Sequence, residues 1–329
     1  GLSRRLLASS VRLSRPMATG IHTLADHCIE TLEVETSLEL YVFPSPQFNA
    51  MCFKPEDGRL FVMFSSSLLE AFDHDELQFV LGHELGHHIY DHHAIPIGHL
   101  LRGSKNLDHR LILELFAWSR YAEISADRAG AHCTHDLECV ARSLFKLASG
   151  LKGDNITFNL EEFLHQIDDM VAEDGTPGIT PPREDWFSTH PFSPLRVRAL
   201  KLFDESEYER ENGMSKRDLE VAVQGLMSLM EQSYIEGKTE AATHMRRLLY
   251  AVAIAVAQAG DGISEEEIAI FEQFFGPGEF SSSLDLERLV NDLPNRTKKV
   301  RDHTTGLQRM QVLRDLCLVA RASGEVTAE

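Results

Sequence analysis

The stretch Phe79-Val80-Leu81-Gly82-His83-Glu84-Leu85-Gly86-His87-His88 decides how this chain is read. Residues four apart lie on one face of a helix, so the imidazoles of His83 and His87 can reach a single metal ion. Glu84 follows the first of them, where its carboxylate addresses a water beside the metal rather than the metal itself. Leu77, Val80, Leu81 and Leu85 give the helix an apolar face, and Asp73 with Glu76 three residues on reads as a capping box ahead of it. Two imidazoles and a carboxylate base at this spacing are the pattern of zinc-dependent peptide hydrolysis. A chain with 16 His produces accidental pairs, so the rest of the sequence has to supply the missing parts of a site.

A catalytic zinc needs a third protein ligand and a fourth, open position. The segment Arg120-Tyr121-Ala122-Glu123-Ile124-Ser125-Ala126-Asp127-Arg128-Ala129-Gly130 has helical spacing and many small residues. Glu123 and Asp127 share one of its faces. We read Glu123 as the third ligand and Asp127 as the acceptor for the spare ring N–H of a ligating His. A solvated acidic face would use the same two residues; Ala122, Ala126, Ala129 and Ala131 argue for a packed helix instead. His88 and His92 are also four apart, but no carboxylate stands where Glu84 does. On a continued helix they turn to another face, which makes them surface residues or supports behind the ligands. Cys52 reads as a buried structural thiol that could approach the metal.

With these motifs in hand, the chain resembles the gluzincin metallopeptidases related to the CAAX prenyl protease and HtpX. The resemblance rests on His83–His87, on Glu123-Ile124-Ser125-Ala126-Asp127, and on Ser188-Thr189-His190-Pro191 followed by Arg196, and it covers roughly residues 25–205. It implies an α+β, zincin-like catalytic domain, mostly helical with a small antiparallel sheet, and one catalytic Zn2+. It implies that His190 stabilises the developing oxyanion and that Arg196 orients the loop or the substrate. Asn49 and Ala50, in Pro46-Gln47-Phe48-Asn49-Ala50, resemble the family's substrate-binding element beside the cleft. An ordinary turn accounts for Asn49 and Ala50 equally well, and a packed turn would explain His190 taken alone.

A formal net charge of −19 excludes nucleic acid as a partner and disfavours anionic membrane surfaces. Five cysteines, odd in number and irregularly spaced, read as thiols of a reducing, cytoplasmic compartment rather than a disulfide framework. The longest apolar run, Leu248–Ala257, is too short for a bilayer and reads as a buried helix. The family's best-known members carry several membrane spans; this chain reads as soluble. Residues 1–20 form a basic arm with Arg4, Arg5, Arg12 and Arg15 and no acid. Three readings fit it: a membrane-surface anchor, the remnant of a targeting peptide, or an arm packed on the acidic body, which the net charge favours.

Residues 21–35 read as a helix, Leu38–Phe43 and Arg59–Phe64 as strands, 137–150 and 194–203 as helices, and 173–185 as a loop. The metallopeptidase domain is expected over 21–212, closed by the charge-dense run from Asp204, and an all-helical domain over 213–329. That second domain contains an internal repeat: Ala255–Glu266 aligns with Leu318–Glu329. Each unit is an apolar helix, a Gly-containing turn and a Ser/Thr cap. It resembles the TerB-like domain of tellurite-resistance proteins, which would make Asp261 and Glu267 metal-binding; capping by Ser264 and Glu267 explains the same residues.

The expected function is that of a zinc endopeptidase acting on polypeptide, with Glu84 as general base. It is either constitutive or latent, shut by His190 on the open zinc position or by the helical domain. The alternative is a catalytically silent module whose helical domain binds a regulatory partner; an intact Glu84 speaks against it.

Overall fold

The computed structural model describes residues 1–103, 109–153, 155–174, 189–231, 234, 239–259 and 286–321. They fall into two compact units, Gly1–Gln166 with Ser188–Leu219, and Ile167–Phe187 with Glu220–Glu329.

The first unit is built on a four-stranded sheet. A short helix α1 (Leu2–Ser9) leads into β1 (Val11–Arg12); α2 (Thr19–Thr31) follows, then β2 (Ser37–Phe43), β3 (Ala50–Glu56) and β4 (Arg59–Ser65). The order is β1-β2-β4-β3. β4 lies inside because Leu60-Phe61-Val62-Met63-Phe64 is apolar on both faces, the pattern of a strand covered twice. The sheet is mixed, not antiparallel as expected: β2 and β4 run parallel (Leu40↔Val62), and only the β1–β2 and β3–β4 pairs are antiparallel. The reason is β3, which the sequence reading lacked. It runs along the far side of β4, joined through the tight turn at Asp57 (φ 53°) and Gly58 (φ 72°). Lys54 and Pro55 hide it as a strand, and both are tolerated because it is an edge; the ladder is irregular between Phe53 and Glu56.

The basic arm packs onto this sheet. Leu6 is buried with Tyr41, Phe61 and Met63, and Val11 pairs with Val42. One sheet edge is therefore covered by β1, which leaves β3 as the other edge.

After β4 come α3 (Ser66–Ala71), α4 (His74–Ile89), a single 3-10 turn (His92–Ala94), α5 (Ile97–Gly103), α6 (His109–Thr134), α7 (Leu137–Ser149) and α8 (Leu160–Asp174). α9 (Ser193–Asp204) returns to pack on α6 and α7. α4 is the central helix, packed against α2, α6, α7 and β3. Its capping box is formed: the Asp73 side chain accepts from Glu76 N–H at 2.9 Å, and Glu76 Oε2 accepts from Asp73 N–H at 2.9 Å. Glu76 is fully buried, so its charge needs more than a cap. Arg142 Nε at 2.8 Å and Lys146 Nζ at 2.7 Å, both from α7, supply it.

The contact between α4 and α6 is unusually close. A Cβ on Gly82 would stand 2.8 Å from Gly130 Cα, one on Gly86 2.9 Å from Ala126 Cα, and one on Gly130 2.6 Å from the Phe79 carbonyl oxygen. Small residues are thus required on both helices at the point where the two motifs meet.

In the second unit α10 (Lys216–Met227), a 3-10 turn (Ser228–Met230), α11 (Glu240–Ala259), α12 (Leu286–Asn291), α13 (Leu293–His303) and α14 (Gly306–Arg321) are described. α11 contains the expected apolar helix and packs on α13 and α14, with Met245, Leu249, Ile254, Val300 and Val312 buried together. Tyr234 donates to Asp315 Oδ2 at 2.7 Å inside this core. Among the described residues no helix is long and apolar enough to cross a membrane. The turns and cap residues of the internal repeat, including Asp261, Ser264 and Glu267, lie outside the described residues.

Gly130→Ala should destabilise the first unit by about 1–3 kcal/mol, because the added methyl meets backbone that cannot step aside. Gly153→Ala, where the methyl has open space, should leave stability nearly unchanged. Urea unfolding of the two variants checks the pair; equal stability would mean that the helix contact is looser than described.

Candidate metal centre

α4 and α6 bring the two sequence motifs face to face. His83 Nε2 and His87 Nε2 are 3.1 Å apart, Glu123 Oε2 is 3.5 Å from the first and Glu123 Oε1 3.4 Å from the second. A tetrahedral zinc with bonds of about 2.0–2.1 Å separates its ligand atoms by roughly 3.3 Å. The spacing matches that of a metal's donor set without any protein atom in the middle.

Hydrogen bonding fixes which nitrogens carry protons. His83 Nδ1–H donates to Asp127 Oδ1 at 2.8 Å, which leaves a lone pair on His83 Nε2. His87 Nδ1 lies 2.8 Å from His92 Nδ1, and with His87 as donor its Nε2 is also a lone pair. His92 can then donate from Nε2 to Ser125 Oγ at 3.2 Å, and Ser125 passes its own proton to the Tyr121 or Ala122 carbonyl of α6. Two lone pairs and a carboxylate converging over so short a distance repel one another unless a cation lies between them. The residues present fit a divalent, nitrogen- and oxygen-liganded metal.

Charge is arranged to the same end. Burial first, then the like charges of His83 and His92, pull His87 down to about 2, so its imidazole is neutral. His83 is displaced the other way: burial lowers it, but the Asp127 hydrogen bond and the Glu123 charge outweigh burial and favour a cation at Nε2, a position that a metal would take in place of a proton. Asp127 is fully buried. Burial alone would raise it, yet the Arg196 guanidinium and His83 hold its carboxyl well below the usual range. Arg196 reaches it with two bonds, Nε to Oδ2 at 2.7 Å and Nη2 to Oδ1 at 2.6 Å, and stands 3.5 Å from Glu123. Arg196, buried on α9, thus stands behind the ligands, holding Asp127 and facing Glu123.

Glu84 points elsewhere. It is buried beside the donor set, its carboxylate accepts the Cys52 backbone N–H from β3, and burial is the chief reason that it is pushed up to about 7. Cys52 is buried, burial with the Glu84 charge pushes its thiol well above the ordinary value, and its Sγ lies 3.8 Å from the Phe53 carbonyl oxygen. Asn49 is pinned at the start of β3: its N–H donates to Ser65 Oγ at 3.0 Å and its carbonyl accepts from Ser65 N–H at 2.8 Å. Ala50 opens the edge strand. His190 is exposed, with Nε2 3.6 Å from Glu123 Oε1 and Thr189 Oγ1 2.8 Å from its Nδ1.

The residue that sequence reasoning undervalued is His92. Helical spacing assigned it to another face, but α4 stops at Ile89 and Asp91 turns left-handed (φ 52°), so the chain doubles back and returns His92 to His87. His88, grouped with it by spacing, instead contacts Thr36 Oγ1 at 3.4 Å.

Residues 17–203 match the profile of peptidase family M48. That span covers more than half of the chain and contains the whole donor set. The chain belongs to peptidase family M48. It is also similar to the plastoglobule-localized metallopeptidase 48, chloroplastic, of Arabidopsis thaliana, 29% identical over 221 residues that make up 62% of this chain and 62% of the relative. The chain thus aligns with less than two thirds of that relative's length. No solved structure matches significantly. The His-His-Glu cluster lies within the matched span and could hold a metal ion.

Arg196→Leu would leave Asp127 buried with its main counter-charge gone. We expect a loss of about 3–5 kcal/mol of stability, read as a shift of the urea midpoint, with Arg196→Lys recovering only part because it cannot form the two-pronged contact.

Proposed function

We propose that this chain is a zinc-dependent endopeptidase in which His83, His87 and Glu123 hold one Zn2+ and Glu84 is the general base. The observation that carries the reading is the convergence of two imidazole lone pairs and one carboxylate beside a separate, buried Glu84. When bound, zinc supplies Lewis-acid chemistry, bringing the pKa of a water toward neutrality and polarising the scissile carbonyl.

The chain's own residues do the rest. Glu84 takes the proton from the attacking water and delivers it to the leaving amine; burial pushes its carboxyl up and so favours its taking up a proton. Asp127, clamped by Arg196, holds His83 in the tautomer that offers Nε2, and His92 does the same for His87. With the Thr189 hydroxyl donating to His190 Nδ1, the remaining proton sits on Nε2, where it can be donated to the carbonyl oxygen as charge develops. An extended polypeptide pairing with the β3 edge from Asn49 and Ala50 onward would lie along Glu84, the geometry of strand addition.

The ordered motifs also support kinship with the CAAX prenyl protease and HtpX branch, and the helical repeat supports a TerB-like C-terminal domain that binds a regulatory partner. Free Cys28, Cys52, Cys133, Cys139 and Cys317 support a reducing compartment such as the cytoplasm.

A second reading is latency. His190 already stands 3.6 Å from a ligand oxygen, and a small movement of this exposed imidazole would bring it onto the open zinc position.

Casein or quenched-peptide hydrolysis by the zinc-loaded chain is the test. Glu84→Gln should lower turnover by about 10²–10⁴-fold while bound zinc is unchanged; retained turnover would overturn the assignment. His190→Ala separates the two readings by sign, since loss of an oxyanion donor slows hydrolysis by about 10²-fold or more, whereas removal of a plug speeds it.

A further inference from the structure

A second group of metal-ligand side chains lies at the far end of α6, away from the donor set just described. His132 Nδ1 is 2.9 Å from Glu209 Oε1, and His135 Nδ1 is 3.4 Å from Glu209 Oε2. One donor atom from each of the three residues lies within 4.8 Å of the others. We propose that His132, His135 and Glu209 form a second transition-metal site, structural rather than catalytic, that fastens the end of α6 to the segment following α9.

Each residue is brought there by a separate backbone device. His132 is in the last turn of α6. His135 lies just past the helix end in left-handed backbone (φ 52°), which bonds its N–H to the Ala131 carbonyl at 2.8 Å and places the two imidazoles 5.2 Å apart. A non-glycine residue in that region is costly, and a conformation fixed by its surroundings is what holds this ring beside the other. Glu209 comes from a compact turn. Its N–H bonds the Ser206 carbonyl at 3.1 Å, and the turn is closed by Glu207 N–H to Met214 O and Met214 N–H to Glu205 O, each 2.9 Å.

The electrostatics favour a cation over a plain ion pair. The side chain of Glu209 is only 14% exposed, and its two ion-pair partners among the described residues are these histidines. The nearest basic residue in the turn, Arg210, is bound to Asp204 instead. Asp136 and Asp204 line the adjoining shallow cleft. Two imidazoles and one carboxylate suit Zn2+, Cu2+ or Ni2+ rather than Ca2+ or Mg2+. His132 and His135 are 46% and 59% exposed, so an ion has a path in and room to keep water on its remaining positions. The comparable trio Glu240, His244 and His303 in the second unit lacks a buried carboxylate, since Glu240 is 77% exposed, and the cleft beside His244 is lined by Arg247, Arg296 and Lys299 against one acid, Asp292.

The consequence follows from the two segments that would be tied. α6 carries Glu123 and Asp127, and α9 carries Arg196. A metal at the second site would link the ends of the elements whose side chains meet in the first, and so resist their separation.

The experiment is equilibrium dialysis of the full chain against buffered Zn2+, with metal counted by mass spectrometry and thermal unfolding followed in parallel. The wild type should bind one more zinc per chain than the His132→Ala, His135→Ala double variant, and Glu209→Gln should match the double variant. Zinc above the level that fills the first site should raise the melting temperature of the wild type and not that of the variants. His132 and His135 are exposed and Glu209→Gln keeps the size and shape of its side chain, so the variants should keep their folded spectrum and the remaining zinc. Equal zinc content in wild type and variants, or the same zinc-dependent rise in melting temperature in all of them, would overturn the proposal.

Discussion

Contact between α4 and α6 at backbone distance is the constraint on which the rest of the first unit depends. His83 and His87 are on one helix and Glu123 on the other, and imidazole and carboxylate side chains are short. They can share one ion only if the helix axes come closer than ordinary side chains permit. Gly82, Gly86 and Gly130 permit it, each filling a position where a Cβ would strike the backbone of the opposite helix, at Ala126 in the case of Gly86. Helices in contact usually stand about 8–10 Å apart, depending on the side chains between them; here the small residues set the lower end of what packing allows.

So close an approach also confines charge. Glu84, Glu123, Asp127 and Arg196 are all buried in the first unit, where unpaired ions are costly. The arrangement resolves this by division of labour. Asp127 is satisfied by Arg196 and His83, Glu123 is left facing the two imidazoles, and Glu84 takes a backbone N–H from β3. Each carboxylate thereby has a different environment. In the proposed mechanism, three acids of one chemical kind serve as a support, a ligand and a base because of what surrounds them.

Local sequence rules carried much of this. The capping box at Asp73 and Glu76, the four-residue spacing of the two His, the small residues around Glu123 and the apolar run of β4 each follow from short-range geometry. Where the reading fell short, long-range placement decided. β3 carries Lys54 and Pro55 and looks like loop, yet pairing along β4 makes it a strand and turns an expected antiparallel sheet into a mixed one. His92 obeyed helix geometry only on paper, because the helix ends before reaching it.

The sequence by itself determined which residues can do the chemistry. The proposed ligand and base assignments rest on intervals of one to four positions inside single helices, where backbone periodicity leaves no freedom. Tertiary structure alone decided how those residues are held. The match of Asp127 with Arg196 spans 69 positions, that of Glu76 with Arg142 and Lys146 spans 66 and 70, and the link from Glu84 to Cys52 depends on a strand beside a helix. No periodicity encodes such pairings. They arise because burial leaves each charge the choice of a partner or a large free-energy penalty, and only the packed chain fixes which partner is in reach.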